Sequence, residues 1–258
     1  MASRAGRHAT LSSYVLHHYD WSESSVILDL FTREYGRVAV AAKGAKKPFS
    51  QLRGVLLPFQ RLQVSLGRDA PGDESREVQS LRSADWAGGH AMLTGPALFS
   101  GFYVNELLMK LLARHDPHPR LFDVYAETVA ALGVAGEAAT QAALRAFEIV
   151  LLREIGLLPD LATETATRRP VAAGRRYLVL ADAGVVESSG AGEATASGAT
   201  LAALHAALAS GDLDALRRAA ADALAELRPL LRAQLHYHLG SAQLRTRQVM
   251  IEAQALDR

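Results

Sequence analysis

Residues 33–61 read REYGRVAVAAKGAKKPFSQLRGVLLPFQR, and the rest of the chain is organised around this stretch. It holds seven basic residues and one acid, a net charge of +6 against +1 for the whole chain. Three of the four lysines, Lys43, Lys46 and Lys47, lie around Gly44 and just before Pro48, two residues that favour a loop. A basic loop that leaves a strand is suited to hold a phosphodiester backbone. The alternative is a solvated loop that only aids solubility.

The residues on both sides of this loop have the pattern of short β-strands. Residues 26–31 and 37–42 predict a hairpin. Residues 60–66 alternate polar and apolar side chains, as a half-buried strand does. With residues 13–18 and 76–82, the pattern predicts five short strands, which favours a small closed barrel of the OB type. Such barrels often bind single-stranded nucleic acid on one face.

The pattern becomes helical after residue 87. Residues 87–158 predict three helices, and residues 201–256 predict more, separated at residues 211–212 and 239–241. Residues 159–198 are rich in Thr, Ala, Gly and Ser around one β-like run, so they form either a small β insert or a loose loop. The predicted fold is α+β, with an OB-fold nucleic-acid-binding domain at 1–84 and a helical domain at 85–258 that carries the insert.

Composition excludes several kinds of chemistry. The chain has 258 residues and no cysteine, which rules out disulfides, thiol chemistry and cysteine-ligated zinc. No signal peptide or bilayer-length apolar run is recognised, so we expect a cytoplasmic protein with no membrane partner. No P-loop and no G-x-S-x-G motif occurs. These observations favour a binding protein over an enzyme, with no catalytic residue, metal or cofactor.

The basic residues of the stretch 33–61 are the predicted nucleic-acid contacts. They are Arg33, Arg37, Lys43, Lys46, Lys47, Arg53 and Arg61. About six contacts to a single strand would make log affinity fall with log salt at a slope of roughly −4. Four aromatic residues of the barrel segment either stack on bases or fill the barrel core: Tyr14, Tyr19, Trp21 and Tyr35.

A second group of arginines lies near the end of the chain. It consists of Arg217, Arg218, Arg228, Arg232, Arg245 and Arg247. We interpret this patch as a site for DNA or for an acidic peptide. The competing interpretation is that each arginine pairs with an acid on the helix surface.

Several short segments, taken together in their order and spacing, resemble the RecO family of bacterial DNA repair and recombination-mediator proteins. Those in the predicted barrel are YVLH (14–17), ESSVILDLFT (23–32), GRV (36–38), AKGAK (42–46), LRG (52–54) and LPF (57–59). Those in the helical part are YVNELL (103–108), DPHPRLF (116–122), FE (147–148), LREIG (152–156), PDL (159–161), HLG (238–240) and LRTR (244–247). Each segment alone is weak, but the series covers nearly the whole chain.

The resemblance implies an OB barrel followed by a helical domain. It also implies binding of single- and double-stranded DNA and annealing of complementary strands. Its implied partners are RecR and the acidic C-terminal tail of single-stranded DNA-binding protein (SSB), so that recombinase can load. It implies a location in the cytoplasm, at the nucleoid.

The chain departs from the family pattern in the insert. Many members carry a four-cysteine zinc site after the segment that ends at Leu161, whereas residues 162–167 here read ATETAT. Alanine and threonine cannot replace thiolate ligands, so we predict a zinc-less insert.

Two other hypotheses remain beside DNA binding. The basic loop can serve a protein-interaction scaffold by meeting an acidic partner, or the chain can be a hydrolase or nuclease with an unrecognised site.

Overall fold

A closed five-stranded barrel forms the first part of the chain in the computed structural model. The structure describes residues 10–67, 78–89, 92–190, 194–240, 244–246 and 248–249. The strands are β1 (Thr10–Asp20), β2 (Val26–Thr32), β3 (Gly36–Ala42), β4 (Leu62–Leu66) and β5 (Val78–Trp86). Their order is β1-β2-β3-β5-β4, and β4 closes the barrel on β1. The predicted α+β fold with an N-terminal OB-type barrel is confirmed.

The hairpin of β2 and β3 runs the length of the barrel. Val26 pairs with Ala42 at one end and Thr32 with Gly36 at the other. Apolar side chains of both strands fill the core together with Val64 of β4. A helix of one turn, α1 (Leu52–Val55), lies between β3 and β4 and was not predicted. Leu52 and Val55 pack against the barrel core, so this segment closes one side of it.

Two long helices follow the barrel in the same compact unit: α2 (Gly95–Leu111) and α3 (Pro119–Val134). Asn105 of α2 donates a hydrogen bond to the carbonyl of Leu16 in β1 at 3.0 Å. The side-chain amide oxygen of Asn105 accepts a hydrogen bond from the Tyr125 hydroxyl of α3 at 2.7 Å. The ring of Tyr14 lies 4.9 Å from that of Tyr125, and Tyr125 is fully buried. Polar and aromatic contacts therefore fix both helices to β1.

The chain divides into two compact units, Met1–Gly133 and Val134–Arg258. The predicted boundary between residues 84 and 85 falls inside β5, near the end of the barrel. The division of the chain into two domains at this boundary remains a prediction.

The second unit contains four helices and a small sheet within the described residues. The helices are α4 (Glu137–Glu154), α5 (Gly198–Ser210), α6 (Leu213–Asp222) and α7 (Leu224–Leu239). The predicted separation at residues 211–212 is confirmed: Gly211 ends α5 in a left-handed conformation, and the Asp212 carboxylate caps α6 by accepting from two backbone N–H groups. The buried side chains of α4 pack against α6 and α7.

The insert is an ordered sheet of three strands with the order β7-β6-β8. These strands are β6 (Arg176–Leu180), β7 (Gly184–Glu187) and β8 (Thr195–Ser197), of which the sequence indicated only β6. The Thr165 hydroxyl accepts a hydrogen bond from the Val185 N–H at 2.8 Å, and the Thr165 N–H donates to the Val185 carbonyl at 2.8 Å. The segment without thiols is therefore held to the sheet by hydrogen bonds.

Glu226 of α7 fastens β8 and the start of α5. Its carboxylate accepts hydrogen bonds from the Ser197 N–H (3.0 Å), the Thr200 hydroxyl (2.7 Å) and the Arg176 guanidinium (3.0 Å). Burial raises the pKa of Glu226, but these hydrogen bonds outweigh it, so the pKa lies below its ordinary value. The contribution to stability is therefore present above the unfolded-state pKa, about 4.3, and is lost as pH falls through the folded-state pKa.

We predict that Glu226→Gln destabilises this junction at pH 7 by roughly 1–3 kcal/mol, because the hydrogen bonds lose their charge. The difference from the wild type should shrink as pH falls below about 4. Amide hydrogen exchange of residues 195–200 measures it. Asp222→Asn, which changes an exposed acid of α6, is the control and should leave exchange unchanged. Equal protection of Glu226→Gln and the wild type at pH 7 would contradict the assignment.

Candidate nucleic-acid interface

The loop after β3 is held against the turn between β1 and β2. The Lys46 N–H donates to the Ser24 carbonyl at 3.0 Å, and the Gly44 N–H donates to the Ser25 hydroxyl at 3.4 Å. Ala45 is buried in the barrel core, so the loop is also anchored to the barrel itself. This loop, residues 43–51, is called the basic loop below.

Lys46 is the side chain that ties the two segments together. Its Nζ donates to the Ser22 carbonyl at 3.0 Å and forms an ion pair with Asp20 at 2.7 Å. The hydrogen bond and the charge of Lys46 lower the pKa of Asp20 below its ordinary value. The charge of Lys46 is thus already paired, and the residue anchors the basic loop.

Lys43 and Lys47 differ from Lys46 in being exposed and forming no ion pair with any described residue. Together with Gly44 and Trp21 they line an open depression whose other wall is the serine-rich turn after β1. Arg53 of α1 is also exposed and has no ion pair among the residues that the structure describes. The backbone N–H of Arg53 donates to the Ser50 carbonyl, so α1 continues directly from the basic loop. These three cations remain available for phosphates.

Arg37, one of the predicted DNA contacts, is buried among structural partners. Arg37 is only 9% exposed. Its guanidinium forms two hydrogen bonds to the buried carboxylate of Asp29, at 3.0 and 3.2 Å, and also donates to the Met109 and Leu112 carbonyls at the end of α2. All of these acceptors lie inside the first compact unit, so Arg37 is a structural residue with no free face for a phosphate.

Arg33 and Arg61 lie apart from the basic loop. Arg33 pairs with Asp123 of α3 through two hydrogen bonds at 2.9 and 3.0 Å. Arg61 is exposed, but the next residue, Leu62, pairs with Ser13 near the start of β1, whereas the basic loop meets the end of that strand. The seven predicted contacts therefore lie in different places. Lys43, Lys46, Lys47 and Arg53 share the loop end of the barrel, and Lys46 among them is already paired with Asp20.

The aromatic residues divide between core and surface. Tyr14 is 4% exposed and lies in a ring cluster with Phe122 and Tyr125, and Tyr35 packs on the barrel core. Tyr19 and Trp21 are exposed, and Trp21 is in the depression. Phe49, whose side chain is 99% exposed in the basic loop, was not among the predicted site residues. The only sequence signal was its place after Pro48, in a loop and not in an apolar run.

The second basic patch is split in the same way. Arg217 pairs with Asp214 at 3.2 Å, and Arg218 pairs with Asp212 at 3.7 Å. Pairing with surface acids is the alternative that the sequence left open for these two arginines. Arg228 and Arg232 are exposed on successive turns of α7 and form no ion pair within the described part of the chain. They line a shallow depression with His236. Arg245 is exposed, and Arg247 lies outside the described residues.

Among the residues that the structure describes, no three His, Cys, Asp or Glu side chains are grouped so as to hold a metal ion. Within that part of the chain, no helix is long and apolar enough to cross a bilayer.

The barrel, the helices and the small sheet define an α+β protein in which an OB-type barrel precedes a helical region. Two family descriptions match nearly all of it: "Recombination protein O N terminal" over residues 7–88 and "Recombination protein O C terminal" over residues 92–248. The chain is 53% identical over 246 residues to the DNA repair protein RecO of Polaromonas naphthalenivorans (strain CJ2), covering 95% of this chain and 96% of the relative. It is 50% identical over 269 residues to the DNA repair protein RecO of Acidovorax ebreus (strain TPSY), covering 99% of this chain and 100% of the relative.

The chain belongs to the RecO family of DNA repair proteins. The family predicted from the short segments is confirmed, and membership supports a role in DNA repair and recombination.

Proposed function

We propose that this protein binds single- and double-stranded DNA through the loop end of its barrel and anneals complementary strands without breaking a covalent bond. The observation that carries the proposal is the set of exposed, unpaired cations in and beside the basic loop, Lys43, Lys47 and Arg53. Cations on one surface displace condensed counterions from two strands and so reduce their mutual repulsion. Phosphate contacts carry no sequence information, so binding should show little sequence preference.

The proposed partners and place of action are supported by membership of the family and by exposed arginines of the second unit. We propose that RecR and the acidic C-terminal tail of SSB are partners, and that the protein acts on SSB-coated single strands in the cytoplasm, at the nucleoid. Arg228 and Arg232 on α7 support a site for an acidic peptide, because both are exposed beside a shallow depression. No covalent chemistry is proposed, and the role is that of a mediator.

We predict that Lys43→Ala with Lys47→Ala weakens binding of a fluorescently labelled single-stranded oligonucleotide and flattens its salt dependence. Three phosphate contacts give a slope of log affinity against log salt of roughly −2, and removing two leaves roughly −0.7. Fluorescence anisotropy between low and moderate salt measures both quantities. A strand-annealing assay on the same variant should show slower annealing.

The control is Lys110→Ala, which removes the fourth lysine, paired with Glu106 on α2. It should leave affinity and slope at wild-type values. Binding that does not depend on salt, or that is unchanged by the double substitution, would contradict DNA binding at this surface and favour an acidic protein as the partner of the basic loop.

A further inference from the structure

Phe49 is an apolar side chain whose exposure has no explanation in the fold. It is 99% exposed, so it contributes no buried area to the barrel. Its backbone is nevertheless held in place, because the Ser50 N–H donates to the Lys47 carbonyl at 3.0 Å and closes a turn around Pro48 and Phe49. Proline at this position fixes the backbone of the turn. The ring is therefore presented to solvent at a fixed place.

Trp21 is presented in a similar way from the neighbouring turn. Trp21 is 54% exposed, and its backbone N–H donates to the Ser25 carbonyl at 3.4 Å. Trp21 lines the same depression as Lys43 and Lys47. Trp21 thus lines the same depression as Lys47, and Phe49 follows Lys47 by two residues in the turn that Lys47 begins.

Cations beside exposed aromatic rings match the chemistry of an unpaired nucleic-acid strand. Each base has an apolar face that stacks on an aromatic side chain, while the phosphates contact lysine. A duplex offers the same phosphates, but its bases are already stacked on each other inside the helix. The rings can therefore add affinity for a single strand and none for a duplex.

We propose that Trp21 and Phe49 form a base-stacking site for unpaired bases, beside the phosphate contacts of Lys43 and Lys47. This inference rests on the proposed DNA binding. This site makes the loop end of the barrel selective for single strands. Lys46 is a positioning residue in it, because its bonds to Asp20 and Ser22 hold the turn that carries Trp21 against the loop that carries Phe49.

Trp21→Ala and Phe49→Ala test the site when affinity is measured for a dT oligonucleotide and for a blunt-ended duplex of two separate strands. Each substitution should lower affinity for dT on the order of 10-fold and leave duplex affinity within about twofold of wild type. The salt slope should stay at the wild-type value, because no cation is removed. Trp21→Phe and Phe49→Trp should retain single-strand affinity. Tyr237→Ala, which removes an exposed aromatic side chain of α7, is the control and should change nothing.

Fluorescence provides a direct readout of stacking. The chain has two tryptophans, so Trp86→Phe leaves Trp21 as the only one, and its emission should be quenched by dT and unaffected by the duplex. Lys46→Ala should weaken the quenching and the dT affinity with an unchanged salt slope, and Lys46→Arg should restore both. A phosphate contact would instead flatten the slope.

The outcomes separate this inference from the proposed function. If the lysine substitutions weaken DNA binding but the aromatic ones leave the ratio of dT to duplex affinity unchanged, the stacking site is wrong and DNA binding stands. An equal loss for both DNAs also overturns the stacking site. If the aromatic substitutions abolish binding of poly-L-glutamate and leave DNA binding intact, the surface is a protein-docking site and the inference fails. No binding of either DNA by the wild type would overturn the proposed function itself.

Discussion

Replacing Arg37 by alanine is expected to lower the free energy of unfolding of the first compact unit by about 3–5 kcal/mol. The carboxylate of Asp29 is fully buried, and Arg37 provides two of its hydrogen bonds. Arg114 provides one more, at 3.1 Å, but its side chain is 40% exposed. Without Arg37, the carboxylate loses its main partner, and two carbonyls at the end of α2 lose their donor.

Urea unfolding followed by tryptophan fluorescence measures this loss. Both tryptophans, Trp21 and Trp86, lie in the first compact unit, so the signal reports the unfolding of that unit. Arg53→Ala removes an exposed arginine of α1 and should change stability by less than about 0.5 kcal/mol. If Arg37→Ala unfolded like the wild type but bound DNA more weakly, Arg37 would be a phosphate contact after all.

Gly36→Ala is expected to destabilise the same unit by about 3 kcal/mol or more. Gly36 begins β3 with a φ of +67°, which an L side chain rarely adopts. A Cβ atom there would also lie 1.9 Å from the Asp116 carbonyl oxygen, so the segment after α2 would have to move away. Its contacts with β3 would then be lost.

Gly44→Ala is the matched control for this prediction. Gly44 has a similar φ of +75°, but a Cβ atom there would meet nothing closer than the Lys47 side chain at 3.7 Å. This variant carries the backbone strain without the collision and should lose about 1 kcal/mol. Urea midpoints of the two variants, followed by the same fluorescence, give the difference. Equal losses would show that the close approach of Asp116 does not matter.

The fold was largely predictable because its signals are local. The alternation of residues 60–66 and the hairpin of residues 26–42 depend on neighbouring residues, and both appear as strands. The insert was less predictable, since β6–β8 depend on hydrogen bonds such as that of Thr165, which pairs with a residue 20 positions later. A segment rich in threonine and glycine does not by itself indicate which distant residue it will pair with.

The candidate site was less predictable because charge in a sequence does not show whether the charge is free. Arg37 and Lys46 carry the same positive charge as Lys43, yet each has an acid partner that only the folded chain brings near. One signal was available for Arg37: Asp29 interrupts the apolar run of β2, and a buried acid requires a partner. Phe49 had no equivalent signal, because phenylalanine is usually a core residue.

The close approach of β3 and the segment after α2 has a consequence for the nascent chain. Within the described residues, β5 pairs with β3 from Ala39 to Ala41, and the segment after α2 pairs with the start of β3. The His115 N–H covers it by donating to the Arg37 carbonyl at 2.9 Å, next to a bridge between Arg37 and Arg114. During synthesis, the hydrogen bond between His115 and β3 can form only after residue 115 has left the ribosome, and from then on the segment after α2 covers the start of β3.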